Sequence, residues 1–110
     1  MNNLTRGAVV LVNLDPTIGA EIKKTRPVVI VSNDMQNKRS QRVVVLPMTS
    51  NVNTIYSFEI LVSFAGRDSK VLSDQIRTID KSRIIKHLGV LSNEYISDID
   101  KAIKLTLALS

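Results

Sequence analysis

Six polar residues stand at the ends of apolar segments, where they could act together on a phosphodiester. They are Arg26, Thr49, Ser50, Asp74, Gln75 and Arg77. A guanidinium binds two phosphate oxygens at once, and a hydroxyl can bind a phosphate or orient a nucleophile. The same residues are also typical of ordinary polar strand ends, so the pattern alone leaves both interpretations open.

A second pattern concerns metal chemistry. Asp15 and Glu21-Ile22-Lys23 superficially match the Asp…Glu-x-Lys spacing of metal-dependent nucleases. The two carboxylates lie in a loop with Pro16 and Gly19, so surface charge is the favoured interpretation. The chain has no cysteine and one histidine, which excludes thiol nucleophiles, zinc–cysteine sites and multi-histidine sites. We expect neither a metal nor a cofactor.

The positive charge is concentrated in one segment. The net charge is +5, and residues 23–42 hold six basic side chains and one acidic one, which accounts for the whole excess. Such a segment indicates a polyanionic partner, namely nucleic acid, an anionic membrane or an acidic protein tail, or else a solvated surface. Two tyrosines and two phenylalanines are too few for a row of base-stacking rings.

The elements that must position these residues are mostly strands. Segments rich in valine and isoleucine predict four strands, with a fifth interrupted by Ser73-Asp74-Gln75. The predicted strands are Ala8–Leu14, Pro27–Asn33, Arg42–Thr49, Phe58–Ser63 and Val71–Ile79. The first three are almost continuously apolar and therefore need cover on both faces. Pro47 predicts an edge, a bulge or a strand end.

The C-terminal segment changes to a helical period. Ser92 is a candidate N-cap, and Ile96, Ile99 and Ile103 form one apolar stripe of a helix that ends near Leu107. We therefore expect a mainly β protein, a small barrel or strongly curved antiparallel sheet with a C-terminal α-helix, as one domain over residues 1–110. No apolar run approaches the roughly 18 residues of a spanning helix. We expect a soluble, unprocessed, cytoplasmic protein.

Four co-linear segments resemble the MazF/PemK family of toxin endoribonucleases. The likeness runs along the whole chain in order and includes the C-terminal helix pattern. The segments are Arg6–Glu21, Thr25–Asp34, Val44–Ser50 and Asp74–Arg83.

The resemblance implies an SH3-like barrel that acts as a homodimer. It further implies sequence-specific, metal-independent cleavage of single-stranded RNA, often messenger RNA, and inhibition by an antitoxin whose flexible acidic segment occupies the RNA groove. The family's catalytic Arg–Thr pair falls on Arg26 and Thr49, and an acidic residue used by some members falls on Asp74.

Metal-free RNA cleavage uses the substrate's 2′-hydroxyl as nucleophile and leaves a 2′,3′-cyclic phosphate and a 5′-hydroxyl. Arg26 suits stabilisation of the phosphorane dianion, because the planar guanidinium can donate to two phosphate oxygens at once. Thr49 would bind the phosphate or orient the 2′-hydroxyl, and Glu21 or Asp74 would accept its proton. The expected RNA-binding residues are Lys23, Lys24, Asn33, Lys38, Arg39, Ser50, Gln75 and Arg77.

Two alternatives come from other classes. A CcdB-like protein of related fold would poison DNA gyrase by binding, through contacts at the end of its C-terminal helix, and would cut nothing. Here no aromatic residue follows the helix, which disfavours that function. A degenerate member would only bind RNA or an antitoxin, which the presence of Arg26 and Thr49 argues against.

Overall fold

The computed structural model describes residues 4–15, 19–20 and 24–110. In these ranges the chain forms seven β-strands, two α-helices and two short 3-10 turns, Ser73–Gln75 and Lys81–Arg83. The strands are β1 (Ala8–Asn13), β2 (Thr25–Ile30), β3 (Arg42–Thr49), β4 (Glu59–Phe64), β5 (Arg67–Leu72), β6 (Arg77–Asp80) and β7 (Ile84–Val90). The helices are α1 (Asp34–Arg39) and α2 (Asn93–Thr106).

All strands pair antiparallel in one curled sheet, in the order β4-β5-β3-β2-β1-β7, with β6 also paired to β3. Strand β3 takes part in two portions of the sheet. Its first part pairs with β2 and β6, and its last two residues, Met48 and Thr49, pair with β5. Pro47 stands at this transition, opposite Val28, between the residues that pair with β6 and those that pair with β5. A proline fits there because it cannot donate a ladder hydrogen bond.

Both faces of the sheet are covered, as the continuous apolar runs predicted. Successive side chains of a strand point to opposite faces, so Val10 and Val9 belong to different cores. One core contains Ala8, Val10, Val12, Leu14, Val28, Ile30, Val43, Val45, Ile79 and Ile84. The other contains Val9, Val29, Leu46, Met48, Ile60, Val62, Val71, Leu91, Ile99 and Ala102. Helix α2 covers this second face through its buried residues Ile99 and Ala102.

Helix α2 is fixed to the sheet at the start of β1. The Arg6 guanidinium donates to Val31 O at 2.9 Å and forms an ion pair with Asp100 of α2. Gly7 has a φ of +93°, and a Cβ there would lie 2.3 Å from Ile96 Cδ1. The positive φ favours glycine, and any side chain at this position would also have to displace the Ile96 side chain.

The predicted mainly β fold with a C-terminal helix is confirmed, and β3 has the predicted bounds. The second strand was predicted too late, because β2 ends at Ile30 and Asn33 instead caps helix α1. Among the described residues, no helix has the length and apolar content needed to cross a membrane.

The region after residue 64 differs most from the prediction. The expected strand Val71–Ile79 is two strands, β5 and β6, separated by the 3-10 turn Ser73–Gln75. The turn between β4 and β5 is tight, since Arg67 already pairs with Phe64. Strand β7 was not predicted, because its exposed edge position breaks the apolar pattern, and its pairing with β1 contains two register shifts.

Candidate active site

A cavity of about 320 Å³ opens at the end of the sheet where β2 begins and β3 ends. We call it the cleft. Cationic and hydroxyl side chains converge there on a partly apolar wall. The lining residues are Arg26, Pro27, Met48, Thr49, Ser50, Phe64, Ala65, Arg67, Ser69 and Leu88.

The cleft brings together Arg26 and Thr49, the two residues on which the sequence prediction depends most. The register of β2 and β3 places Val28 opposite Pro47, and continuing it sets residue 26 opposite residue 49. The ladder between β2 and β3 ends before that point, while Thr49 pairs with Lys70 of β5 and Arg26 pairs with Val12 of β1. The cleft opens where this ladder ends.

Both residues of this pair are partly exposed, so each can reach a bound molecule. The Thr49 hydroxyl accepts a hydrogen bond from the Asn51 amide at 3.3 Å. This bond uses one lone pair and leaves the hydroxyl proton available to a ligand. The site therefore offers a permanently charged bidentate donor beside an oriented hydroxyl.

The sequence analysis missed Arg67, a second guanidinium that lines the cleft. It follows the β4–β5 turn, where Ala65 and Gly66 have φ values of 53° and 76°. Positive φ at both central residues is typical of the tight hairpin turn that suits twisted strands. The signal was a cation directly after a Gly-containing turn, but nothing in the sequence relates that turn to Arg26.

Ser50, one of the expected RNA-binding residues, also lines the cleft, whereas Asp74, Gln75 and Arg77 are not among its lining residues. Asp74 and Gln75 lie in the 3-10 turn between β5 and β6, where Asp74 is exposed. Arg77 donates to Leu14 O at 3.2 Å, at the end of β1. The predicted carboxylate of Asp74 therefore lies outside the lining of the cleft, in the turn that follows β5.

Asn33, Lys38 and Arg39 lie at the other end of the β2–β3 pair. Asn33 accepts from the Gln36 amide at 2.9 Å as the N-cap of α1, and Lys38 and Arg39 are exposed in its last turn. Ser32 is six positions after Arg26, so at about 3.3 Å per residue the chain leading into α1 lies roughly 20 Å from the cleft.

The loop between β1 and β2 is closed at its base by backbone interactions. Asp15 Oδ1 accepts from the Lys24 amide at 3.0 Å, and Lys24, with a φ of 72°, accepts from the Leu14 amide at 3.1 Å. The Arg83 guanidinium donates to the carbonyls of Asn13 and Asp15 at 3.0 and 2.6 Å. Glu21 and Lys23 lie outside the described residues.

The metal interpretation gains nothing from this arrangement. Asp15 bonds to its own loop, and no group of three metal-binding side chains exists in the ranges that the structure describes.

The pKa of one carboxyl, Asp80, is lowered because the Ser82 amide donates to it at 2.8 Å, together with the Ser82 hydroxyl and the charges of Arg42 and Arg83. Asp80 pairs with Arg42 at the start of β3, away from the cleft.

Comparison with known proteins now gives the family. Residues 5–107 match the model of the PemK-like, MazF-like toxins of type II toxin–antitoxin systems, and the chain belongs to this family. The predicted family is thereby confirmed, and it favours a ribonuclease over the CcdB-like alternative.

Individual relatives agree along the full length. Endoribonuclease MazF9 of Mycobacterium tuberculosis is 36% identical, covering 96% of this chain and 98% of its own. MazF of Deinococcus radiodurans has a similar structure, with a TM-score of 0.88 at 23% identity over 99% of this chain and all of the other. An endoribonuclease from a mycobacterial species, solved with its cognate antitoxin, has a TM-score of 0.79 at 23% identity, covering 100% and 98%.

Proposed function

We propose that the protein is an endoribonuclease toxin that cleaves single-stranded RNA, in particular messenger RNA, at specific sequences and without a metal. The observation that carries the proposal is that Arg26 and Thr49, distant in sequence, line one open cleft. Cations and hydroxyls surround that cleft, which suits a polyanionic substrate. The enzyme class agrees with the name of the mycobacterial relative.

In this reaction the substrate's 2′-oxygen attacks the adjacent phosphorus and forms the cyclic phosphate. The bond from phosphorus to the 5′-oxygen breaks, and a proton completes the 5′-hydroxyl product. Arg26 stabilises the dianionic phosphorane electrostatically, with Arg67 as a second positive charge in the cleft. Such preorganised donors act on charge that develops in the transition state.

Thr49 holds the phosphate or the attacking hydroxyl, and Ser50 adds a polar contact beside it. The proton of the 2′-hydroxyl passes to a carboxylate, for which Glu21 and Asp74 are the two candidates. The variants E21Q and D74N distinguish the two carboxylates. Loss of the general base removes the part of the pH–rate profile in which the rate rises with pH.

The other predicted RNA contacts act farther from the scissile bond. Gln75 contributes to base selection, and Lys23, Lys24 and Arg77 bind the RNA backbone, whereas Asn33 caps α1 at the distant end. Lys38 and Arg39, at the distant α1 end, attract RNA through space, an effect that salt screens strongly.

A homodimer is part of the proposal. Strand β7 is an edge of the sheet and exposes Ile85, Leu88 and Val90 at 55%, 36% and 57%. An apolar edge of this kind favours association. Leu88 also lines the cleft, so a partner at β7 would lie against the site. Sedimentation should show a dimer that V90E disrupts.

The inhibitor would be an antitoxin with a flexible acidic segment that competes with RNA for the positively charged cleft. This agrees with the net charge of +5 and with the structure of the mycobacterial relative bound to its cognate antitoxin. The toxin and antitoxin would meet in the cytoplasm, where messenger RNA is available.

Digestion of a long single-stranded RNA in EDTA tests the function, with cleavage sites mapped by primer extension. We expect discrete cuts that leave 2′,3′-cyclic phosphate and 5′-hydroxyl ends, and we expect T49A to produce none. Cleavage that stops on chelation would instead support the Asp15–Glu21 metal interpretation. Uncut RNA together with inhibited gyrase supercoiling would favour the CcdB-like function.

A further inference from the structure

Lys70 is a buried cation beside the cleft that the reaction above does not use. Its residue exposure is 9%, and it pairs directly with Thr49 across β5 and β3. Directly opposed residues of antiparallel strands have neighbouring side chains on one face of the sheet. The ammonium group therefore lies close to the segment that leaves Thr49.

The Lys70 ammonium connects the middle of the loop formed by residues 50–58 to the first residue of β4. It donates to Thr54 O at 2.7 Å and to Glu59 Oε1 at 2.9 Å. The same Glu59 oxygen accepts from the Tyr56 amide at 2.9 Å, and the ammonium lies 5.8 Å from the centre of the Tyr56 ring. The ion-paired side chains of Lys70 and Glu59 are only 11% and 7% exposed.

The loop begins at the wall of the cleft. Thr49 accepts from the Asn51 amide, and Asn51 Oδ1 accepts from the Asn53 amide at 3.3 Å. The carbonyl of the following residue, Thr54, accepts from Lys70. Two hydrogen bonds and a short stretch of backbone therefore connect the Thr49 hydroxyl to the residue that the buried ammonium holds.

We propose that Lys70 is a positioning residue for the cleft, because it holds the 50–58 loop against β5 and thereby sets Thr49 and Ser50 opposite Arg26. This inference rests on the proposed ribonuclease function. Loss of the ammonium should displace the hydroxyl without removing any group that binds RNA directly. Small misplacements of this kind lower the rate of the chemical step by about 100-fold.

The chain has no cysteine, which permits a site-specific chemical test. K70C is alkylated while unfolded and then refolded. Reaction with 2-bromoethylamine gives a side chain that ends in an ammonium at the length of lysine, and 1-bromopropane gives a neutral side chain of the same length. K101C, on the exposed surface of α2, undergoes both treatments as the control.

We expect the neutral form at position 70 to lose about 10- to 100-fold in kcat with little change in KM, and the ammonium form to regain nearly all of it. Both forms of the control should match the unaltered enzyme. Equal activity of the two alkylated forms at position 70 would overturn the proposal, because packing alone would then explain the role of Lys70. A change confined to KM would also overturn it.

Hydrogen exchange gives a measure that does not depend on RNA cleavage. The amides of residues 51–58 should exchange faster in the neutral form than in the ammonium form, while α1 stays unchanged. Equal protection in this loop contradicts the proposal. A wild-type protein that cuts no RNA refutes the proposed function instead, and the exchange experiment still shows whether Lys70 holds the loop.

Discussion

The two ends of the β2–β3 pair differ in how the chain is closed. At the α1 end, the strands are joined by a short helix whose polar groups are mutually satisfied. Asn37 is 2% exposed, donates to Ser32 O at 2.8 Å and accepts from the Ser32 hydroxyl, which itself accepts from the Val44 amide. At the cleft end, the ladder between the strands ends, and Arg26 and Thr49 line an open cavity.

The comparison separates two uses of polar residues. Buried polar groups that hydrogen-bond to one another stabilise the native state, whereas partly exposed polar groups that line a cleft can act on a bound molecule. The basic segment 23–42 spans both ends, so its charge alone does not identify which end is functional. Variants at either end should therefore affect different measurements.

The largest effect is expected from R26A. It removes the guanidinium from the cleft and should lower kcat by about 10²–10³-fold, because one preorganised donor to the transition state is lost. R39A, which removes the same group at the α1 end, is the matched control and should retain nearly full activity. Single-turnover cleavage of a short RNA measures both, and equal losses would contradict the distinction between the ends.

The opposite behaviour is expected from N37A. Truncation leaves buried partners on Ser32 unsatisfied, which should reduce the free energy of unfolding by about 1–3 kcal/mol. The folded variant should cleave RNA at the wild-type rate, because the cleft lies roughly 20 Å away. Urea unfolding and kcat are measured on the same preparation, and a selective loss of kcat would show that the ends are coupled.

A smaller effect is expected from K38A/R39A. The two charges lie farther from the cleft than the screening length of about 8 Å at physiological salt, so RNA affinity should change little there. At about 0.01 M salt the screening length grows to about 30 Å, and the variant should then bind RNA more weakly than wild type. Similar losses at both salt concentrations would indicate direct contacts to RNA.

The smallest effect concerns acid stability at the α1 end. The pKa of Asp80 is lowered by hydrogen bonds from Ser82 and by Arg42 and Arg83. Its contribution to stability is therefore complete above the unfolded-state pKa of about 3.9 and is lost as pH falls through the lower folded-state value. The difference in urea midpoint between wild type and D80N should shrink across that acidic range and stay constant near neutrality.

Much of the fold follows from local pattern. The short valine-rich run Arg42–Thr49 indicates a strand by its length and composition, and the period of the apolar stripe in α2 indicates a helix. Strand β7 carries no such signal, because an edge strand with exposed apolar residues has neither alternation nor a continuous core run. The polar group Ser73-Asp74-Gln75 indicated where the break between β5 and β6 falls, but it did not indicate that the two strands pair with different parts of β3.

The site was predicted unevenly for a similar reason. Arg26 and Thr49 were found through the family resemblance, and the register of β2 and β3 explains why they meet. Arg67 was missed because its proximity comes from the curl of the sheet, which brings the β4–β5 turn to the cleft. Asn33 carried a polar signal that the structure explains as a helix cap.

The two apolar cores have a consequence for how the chain reaches its native pairing. The register of a strand with one solvent-exposed face is strongly specified, because a shift by one residue would expose its apolar side chains and bury its polar ones. Along β1, such a shift would only move valine side chains from one buried core to the other. The correct register of β1 must then be set by local features. Among these are the close approach of Gly7 to Ile96 and the two register shifts between β1 and β7.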